Sequence, residues 1–325
     1  MKSLIKLFAL MVLVSFVFSS CRAVTDRVLK LDESDKLLYL VAGFDEAAEN
    51  TDVLFTLGFN RTEKMVYVAQ IPRDTYYNFG GSQNKINQLY ASLRASGVDK
   101  SIALDKTAKA ISELFGTDFN GYFGLSIDSF KKIVDVLGGI NIHLKSDLSL
   151  SFDEANQVIT LKAGDNLING EIAEKLVRYR SGYRRGDLAR IDTQKIFLNA
   201  LFSKLSNDTS ATTLLNVVKS VADEIVTDMD LLEIARFFIS NTTLNKDAKA
   251  MFATVPGEPI QDANGLSFYV LNRKSAAEIS KRYMFAKNDF DKDKRCLNED
   301  EPGFANIYED NSISAREFSS EDLSG

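Results

Sequence analysis

Histidine is nearly absent from this chain: His143 is the only one among 325 residues. Zinc sites rich in histidine and Ser/His/Asp triads are therefore poorly supported, and His143 lies in a predicted strand, where a structural role is expected. Stretches of glycine and proline long enough to separate domains are also missing, and no internal repeat is visible. The chain is expected to fold as one main domain with additions, which its length permits.

An excess of positive charge is absent as well. The 39 Lys and Arg residues against 45 Asp and Glu residues give a formal net charge of -6. This balance argues against broad nucleic-acid binding, which needs a basic face. Hydrophobic residues make up 45% of the chain and charged residues 26%, which are ordinary values for a globular protein. They argue against general disorder and against a polytopic membrane protein.

The most hydrophobic run lies at the N-terminus, at 7–18, and follows two lysines. This is the layout of an export signal, and the run is short for a membrane-spanning helix, which needs about 20 residues. Two serines before Cys21 resemble the lipobox of a bacterial lipoprotein, so residues 1–21 are expected to be an export signal with Cys21 lipidated. An uncleaved membrane anchor and full secretion are the alternatives. All three place the domain outside the cytoplasm.

If Cys21 carries lipid, Cys296 is the one cysteine left, and no internal disulfide framework is expected. Residues 22–36 are expected to be a linker and 37–287 the main domain. The segment 288–325 is acidic, contains several serines and is poor in apolar residues, so it is predicted to be disordered.

Strand and helix patterns alternate along the main domain, which predicts a three-layer α/β fold. Strands are expected at 37–43, 53–59, 65–71, 122–125, 140–144, 250–255 and 266–271. Helices are expected at 86–94, 101–115, 127–137, 171–176, 187–205, 212–225, 231–239 and 275–283. The stretch 161–170 is expected to be rich in turns, and the glycine pair at 138–139 to end a helix.

Five arginines crowd into residues 177–194 of this acidic chain: Arg178, Arg180, Arg184, Arg185 and Arg190. The planar fork of arginine matches phosphate oxygens and keeps its charge, so the segment is a candidate anion site. Strand-like alternation would put Arg178 and Arg180 on one face. In the helix that follows, Arg190 and Gln194 are four residues apart and share a face. The alternative is a solvated basic loop that pairs with nearby carboxylates.

Carboxylates follow the first predicted strand, at Asp45 and Asp52, and Arg73 and Asp74 follow a later strand. Strand ends are where ligands bind in α/β sheets. Two carboxylates close to arginines suit a divalent cation that bridges phosphate oxygens. Acidic loop residues that are merely solvated are the alternative.

Several motifs in a fixed order resemble the LytR-CpsA-Psr family of cell-envelope enzymes. They are Gly43-x-Asp45, Thr51-Asp52, Ile71-Pro-Arg-Asp-Thr75, Lys85-Ile-Asn87, Phe130 through Val136-Leu-Gly-Gly139, and Arg178-x-Arg180 with Arg190 and Gln194. The resemblance covers about 37–205. It implies an α/β/α sandwich with a central mixed β-sheet and a hydrophobic tunnel for a polyprenyl chain. The implied reaction moves a phosphate-linked glycopolymer from a polyprenyl pyrophosphate carrier to peptidoglycan.

The resemblance also implies roles for single positions. Asp45 and Asp52 match aspartates associated with Mg²⁺, for which Mn²⁺ is the alternative, and Arg73 matches an arginine essential for transfer. The positions implied to bind pyrophosphate are Arg178, Arg180, Arg190 and Gln194. A carboxylate, with Asp52 the first choice and Asp74 the second, is expected to accept the proton of the attacking hydroxyl. Such an enzyme is expected at the outer face of a bacterial cell membrane.

One position departs from the family pattern, because Asn50 stands where an arginine is common. The loss of one charged contact to phosphate is expected to cost about 1.5 to 3 kcal/mol unless Arg184 or Arg185 substitutes. Transfer is the leading hypothesis for the function. Hydrolysis of a polyprenyl pyrophosphate and non-catalytic binding of the lipid carrier for regulation are the alternatives.

Overall fold

The computed structural model describes residues 35–45, 50–152, 157–178, 187–207, 209–230, 233–234 and 249–323. The predicted export signal with Cys21 lies outside these residues, as do nearly all of the predicted linker and most of the helix predicted at 231–239. Arg180, Arg184 and Arg185 also lie outside them. For residues 187–192 the structure describes the helical backbone but not the side chains.

The strands of the described part are β1 Lys36–Phe44, β2 Thr51–Asn60, β3 Met65–Ile71, β4 Tyr76–Phe79, β5 Ser82–Lys85, β6 Gly121–Leu125, β7 Ile140–Leu144, β8 Leu148–Phe152, β9 Gln157–Leu161, β10 Gly164–Ile168, β11 Val226–Thr227, β12 Lys249–Thr254, β13 Gly257–Gln261, β14 Ser267–Leu271 and β15 Glu317–Ser319. The helices are α1 Ile86–Ala95, α2 Lys100–Phe115, α3 Ile127–Val136, α4 Gly170–Arg178, α5 Asp187–Asn207, α6 Ala211–Val221, α7 Arg273–Tyr283, α8 Phe304–Glu309 and α9 Ser320–Leu323.

Within the described residues, a mixed sheet of seven strands forms the centre, in the order β11-β6-β1-β2-β3-β12-β15. Strand β1 runs parallel to β6 and β3 parallel to β12, whereas β1, β2 and β3 are antiparallel neighbours. The strands predicted at 53–59 and 65–71 are present as β2 and β3, and they form a hairpin. Since a parallel strand needs a crossover connection, helices are carried over the sheet faces.

Helices cover both faces of the sheet, and the side chains of β1 are accordingly apolar on both faces. Leu38 and Leu40 pack into a core with α1, α2 and α7, while Leu37 and Tyr39 pack into a second core with α5 and α6. A strand buried on both faces reads as a continuous apolar run, which is how its sequence predicted it. The predicted α/β/α sandwich with a central mixed sheet is confirmed.

A third core lies beside the sheet and joins α3, α4 and α5 to the strands β7 to β10. Helix α3 ends at the predicted glycine pair, where Gly138 and Gly139 have φ values of 77° and 89°. Only glycine adopts such backbone readily, so the chain turns sharply into β7. The turn-rich stretch predicted at 161–170 instead contains β10, which pairs with β7.

The prediction of a disordered tail at 288–325 is wrong over the residues that the structure describes, to 323. Strand β15 pairs with β12 at the edge of the central sheet. Phe304 and Tyr308 are 0% and 1% exposed and pack against Tyr76 and Phe268. The few apolar residues of this segment include large aromatics, and each of these buries enough area to order its surroundings. The domain therefore extends well beyond residue 287.

Within the part of the chain that the structure describes, no helix has the length and hydrophobicity needed to cross a membrane.

Candidate functional site

A cavity of about 450 Å³ lies between one face of the central sheet and helices α3 and α5. The ends of β1 and β6, the start of β2 and the last turn of α4 complete its wall. Apolar side chains make up most of the lining, among them Phe55, Phe130, Phe197, Leu198 and Leu201. The volume is that of a typical small-molecule pocket, about 300 to 1,000 Å³.

Polar side chains line the same cavity and include four of the predicted site residues. These are Asp45, Asp52, Arg178 and Gln194, together with Gln70, which the sequence analysis did not single out. They come from the end of β1, the start of β2, the end of α4, helix α5 and strand β3. The fold therefore brings together residues that lie up to 149 positions apart in the sequence. We call this polar part of the lining the cavity mouth.

Arg73 reaches the mouth through Asp52, because its Nη1 lies 2.5 Å from the Asp52 Oδ1. The register of β2 and β3 accounts for this contact. Leu54 faces Ile71 across the pair, so the residues two positions outward, Asp52 and Arg73, meet at the same end. Their side chains are 34% and 22% exposed, respectively. Arg73 does not itself line the cavity, but its contact with Asp52 holds it next to the mouth with part of its surface open to solvent.

Arg178 ends a helix, so the strand-like alternation predicted at 177–180 is wrong for residues 177 and 178. Its Nη1 donates to Glu174 Oε1 at 2.7 Å, one turn earlier in α4. The Glu174 side chain is 8% exposed and also lies 3.5 Å from the Lys131 ammonium of α3. A buried carboxylate therefore fixes one guanidinium nitrogen of Arg178, whose side chain is 45% exposed and lines the cavity.

Gln194 is fixed between two elements. Its Nε2 donates to the Val177 carbonyl at 3.0 Å, and its Oε1 accepts from Gln70 Nε2 at 2.5 Å. Buried amides need such partners. Gln70 could have been suspected from the sequence, because it is a polar residue inside an otherwise apolar strand. Arg190 lies on the same helix one turn earlier, and its side chain is not described.

Asp74, the second choice for the proton acceptor, is not brought to the cavity. Its Oδ1 lies 3.0 Å from the Lys85 ammonium, and Asp74 is not among the described residues that line the cavity. Arg73 and Asp74 are adjacent in a turn that follows β3. Arg73 contacts Asp52, whereas Asp74 contacts Lys85. The geometry therefore favours Asp52 over Asp74 as the proton acceptor.

Comparison with known proteins identifies the family of this chain. Residues 19–284 match the model of the LytR_cpsA_psr family. The chain belongs to the LytR-CpsA-Psr family. A relative is the polyisoprenyl-teichoic acid–peptidoglycan teichoic acid transferase TagU of Oceanobacillus iheyensis, which is 25% identical over 253 residues, or 76% of this chain and 75% of that protein.

Solved structures share the LytR-CpsA-Psr fold with this chain. The crystal structure of B. subtilis TagV has a TM-score of 0.64 and 20% identity, and the match covers 79% of this chain and 100% of that one. The structure of TagT bound to LIIa-WTA has a TM-score of 0.64 and 23% identity, covering 80% of this chain and 95% of that one. At these identities the likeness establishes the fold.

Asn50, at the position where the family resemblance implied an arginine, forms hydrogen bonds with Asp45. Its Nδ2 donates to Asp45 Oδ2 at 2.8 Å, and its backbone N–H donates to Asp45 Oδ1 at 3.3 Å. The Asp45 N–H in turn donates to the Asn50 carbonyl at 3.1 Å. The short loop is therefore closed by its own two ends. The side chain at position 50 orients a carboxylate and brings no positive charge.

The two carboxylates at the mouth fit a divalent cation of the Mg²⁺ type. The described residues contain no group of three or more His, Cys, Asp and Glu that could hold a metal ion. Mg²⁺, however, is commonly held by one or two carboxylates, and waters and substrate phosphates complete its shell. Asp45 and Asp52 line one cavity and supply hard oxygen ligands of this kind.

Proposed function

We propose that this LytR-CpsA-Psr protein is a phosphotransferase that moves a glycopolymer phosphate from a polyprenyl pyrophosphate carrier to a hydroxyl of peptidoglycan. The observation that carries the proposal is a single cavity with apolar walls and a mouth that contains Asp45, Asp52, Arg178 and Gln194. A polyprenyl pyrophosphate has the same two parts, a hydrocarbon chain and a polyanion. The TagU relative, named as a teichoic acid transferase that acts on polyisoprenyl-linked substrate and peptidoglycan, supports this class of reaction.

The apolar part of the cavity suits the isoprenoid chain. Phe55, Phe130 and Phe197 with Leu198 and Leu201 offer a lining without charge. Moving hydrocarbon from water into such a lining contributes about 25 cal/mol for each Å² of apolar surface that is buried. The lipid therefore supplies binding free energy, and the mouth is left to deal with the phosphates.

The mouth suits the charge of the reacting phosphates. The acceptor oxygen attacks the phosphorus that carries the glycopolymer, and the bond to the polyprenyl phosphate leaving group breaks. Charge then spreads over the phosphate oxygens, and positively charged forks stabilise it. Arg73 and Arg178 lie where they can do so, and Asp52 is the carboxylate at the mouth that can take the hydroxyl proton.

Asp45 and Asp52 would hold a Mg²⁺ ion, for which Mn²⁺ is the alternative. A bound ion would neutralise part of the phosphate charge. Asn50 keeps the Asp45 carboxylate oriented for this task through its 2.8 Å hydrogen bond. The ion pair with Arg73 does the same for Asp52.

Hydrolysis is the second candidate, because water can reach the mouth. The side chains of Asp52 and Arg178 are 34% and 45% exposed. If water takes the place of the sugar hydroxyl, the same residues release free glycopolymer phosphate. The protein would then act as a polyprenyl pyrophosphate phosphatase.

An assay with a labelled glycan on polyprenyl pyrophosphate, Mg²⁺ and peptidoglycan tests the proposal. Label that becomes attached to peptidoglycan is the expected result. We expect Arg73→Ala to lower this rate by about 10²- to 10³-fold, as the loss of one charge-stabilising group does elsewhere. The matched control is Arg94→Ala, which removes an arginine that donates to the Val98 carbonyl away from the cavity.

Other outcomes of the assay are equally clear. Label released into solution without an acceptor would show hydrolysis in place of transfer. Tight binding of the lipid with neither product would show a non-catalytic binding protein. An Arg73→Ala variant with the wild-type rate would exclude both enzymatic functions.

We propose that the protein works at the outer face of a bacterial cell membrane as a lipoprotein. The lipobox-like sequence before Cys21 supports this location, as does the lipid nature of the carrier. Labelled palmitate should enter the wild type and not a Cys21→Ala variant. Cys296→Ala is the control, because Cys296 is buried and should not affect the label. Label in the Cys21→Ala variant would contradict the proposal.

A further inference from the structure

Lys195 is deeply buried beside a residue of the site. It is 2% exposed, and among the described residues it is the one lysine or arginine in the buried class. Its ammonium lies 4.8 Å from the centroid of the Phe318 ring. A buried cation needs electrostatic compensation, and the face of an aromatic ring supplies part of it. Phe318 belongs to β15, far along the chain from α5.

A second contact joins the same two regions. Asn199 Nδ2 donates to the Ser320 carbonyl at 3.2 Å. Since Lys195 and Asn199 are four residues apart, they lie on one face of α5. That face is covered by residues 317–323, the segment made of β15 and α9, which we call the C-terminal strap.

The strap is attached to the sheet as well as to α5. Phe318 faces Phe252 in the antiparallel pairing of β15 with β12. Glu317 accepts from Arg282 Nη1 at 2.8 Å and from the Tyr283 hydroxyl at 2.6 Å. The strap therefore joins α5 to the edge of the sheet and to the end of α7.

A neighbouring side of α5 faces the cavity. Gln194 directly precedes Lys195, and successive residues of a helix point about 100° apart. Gln194 lines the cavity while Lys195 does not appear in its lining. A shift of α5 that broke the Lys195 contact would therefore also move Gln194 at the mouth.

We propose that the C-terminal strap positions α5, and that Lys195 and Phe318 are positioning residues for Gln194 in the binding of the pyrophosphate. The role of the mouth in this statement rests on the proposed function. The strap lies beyond the residues that match the family, which end at residue 284. It would therefore act on the site from outside the matched region.

The test measures the binding of farnesyl pyrophosphate with Mg²⁺ to the full chain and to Lys195→Met, Phe318→Leu and the double variant. We expect each single variant to bind about threefold to tenfold more weakly, because a cation–π contact of this kind is lost. The double variant should be no weaker than the more affected single variant, because both changes remove one contact. Hydrogen exchange of the α5 amides at 193–207 should become faster in all three.

The matched control is Phe304→Leu, which makes the same chemical change in a different cluster of the C-terminal region. Phe304 is buried against Tyr76 and Phe268, away from α5. Its variant should keep wild-type affinity even if the melting temperature falls. Equal losses of affinity in Phe304→Leu and Phe318→Leu would show a general stability effect and overturn the proposal.

Wild-type affinity and wild-type exchange of α5 in Phe318→Leu and Lys195→Met would also overturn it. A wild-type protein that does not bind farnesyl pyrophosphate would instead contradict the proposed function. In that case the rate of amide hydrogen exchange in α5 still decides whether the strap holds the helix.

Discussion

The cavity mouth and the C-terminal region use charged residues in different ways. At the mouth, Arg73, Asp52 and Arg178 have side chains that are 22%, 34% and 45% exposed, so a ligand can reach them. In the C-terminal region, Asp291 is 7% exposed and accepts from the Cys296 N–H. The charged side chains at the mouth are accessible to a ligand, whereas the Asp291 carboxyl of the C-terminal region is enclosed. The predictions below test this difference.

The largest effect is expected for Phe304→Ala in the C-terminal region. Phe304 is 0% exposed, and its ring centroid lies 5.2 Å from that of Tyr76. The cavity that the change leaves should lower the free energy of unfolding by about 3 to 5 kcal/mol. Urea denaturation measures it, with Ile102→Ala, at a position that is 51% exposed, as the control. A loss below about 1 kcal/mol would mean that this region does not fold with the domain.

The second prediction separates the two carboxylates considered as proton acceptors. Asp52→Asn should lower the transfer rate by about 100-fold or more, because Asp52 lines the cavity and holds Arg73. Asp74→Asn should change the rate less than about threefold, because Asp74 pairs with Lys85 in a partly exposed ion pair. Rates for the two variants under the same conditions provide the measurement. A larger loss of rate in Asp74→Asn than in Asp52→Asn would show that Asp52 is not the proton acceptor.

The third prediction concerns pH. Burial, as the largest cause, raises the pKa of Asp291 to about 6. The folded protein therefore binds this proton more tightly than the unfolded chain, whose aspartates have pKa values of about 3.9. The stability contributed by the protonated group is complete below about pH 4 and is lost as the pH rises to about 6, by up to about 3 kcal/mol.

Asp291→Asn should flatten this part of the stability curve. Asparagine tolerates the positive φ of 48° at this position and carries no charge. Chemical denaturation at several pH values measures the difference between the variant and the wild type. Asp293→Asn, at a side chain that is 55% exposed, is the control. Parallel curves for the wild type and Asp291→Asn would show that the buried carboxyl does not titrate in this range.

The smallest effect is expected for Asn50→Ala, which removes the 2.8 Å hydrogen bond to Asp45. The Asp45 carboxylate would then be less well oriented, and we expect about fivefold to tenfold more Mg²⁺ to be needed for half-maximal transfer. Asn84→Ala is the control, because Asn84 donates to carbonyls of its own hairpin. An unchanged Mg²⁺ requirement would mean that Asn50 serves only to close the loop.

Local sequence patterns were sufficient for the inner strands of the central sheet but not for its edge strands β11 and β15, which were not predicted. Strand β3 was predicted with its observed bounds, because a run of seven mostly apolar residues is followed by Pro72. The hairpin strands β8 and β9 were not predicted, although β8 alternates apolar residues and serine as a half-buried strand does. Arg178 was expected in a strand because Arg178 and Arg180 are two residues apart. One such spacing is too short a pattern to distinguish a strand from the end of a helix.

The candidate site was predictable in its residues and less so in its contacts. The charges at Asp45, Asp52, Arg73 and Arg178 stand out in the sequence. Gln70 and Glu174 do not, because their importance comes from partners on other elements. A partner that is 124 positions away, such as Gln194 for Gln70, leaves no local signal.

The sequence by itself determined the α/β class, the apolar strands and the family motifs, because these depend on periodicity and on short local runs. Only the tertiary structure decided that Asp74 stays away from the cavity, that Asn50 holds Asp45, and that the acidic C-terminal region folds onto the domain. Such outcomes depend on which distant elements pack together. Composition cannot report this, because one buried aromatic such as Phe304 can outweigh many polar neighbours.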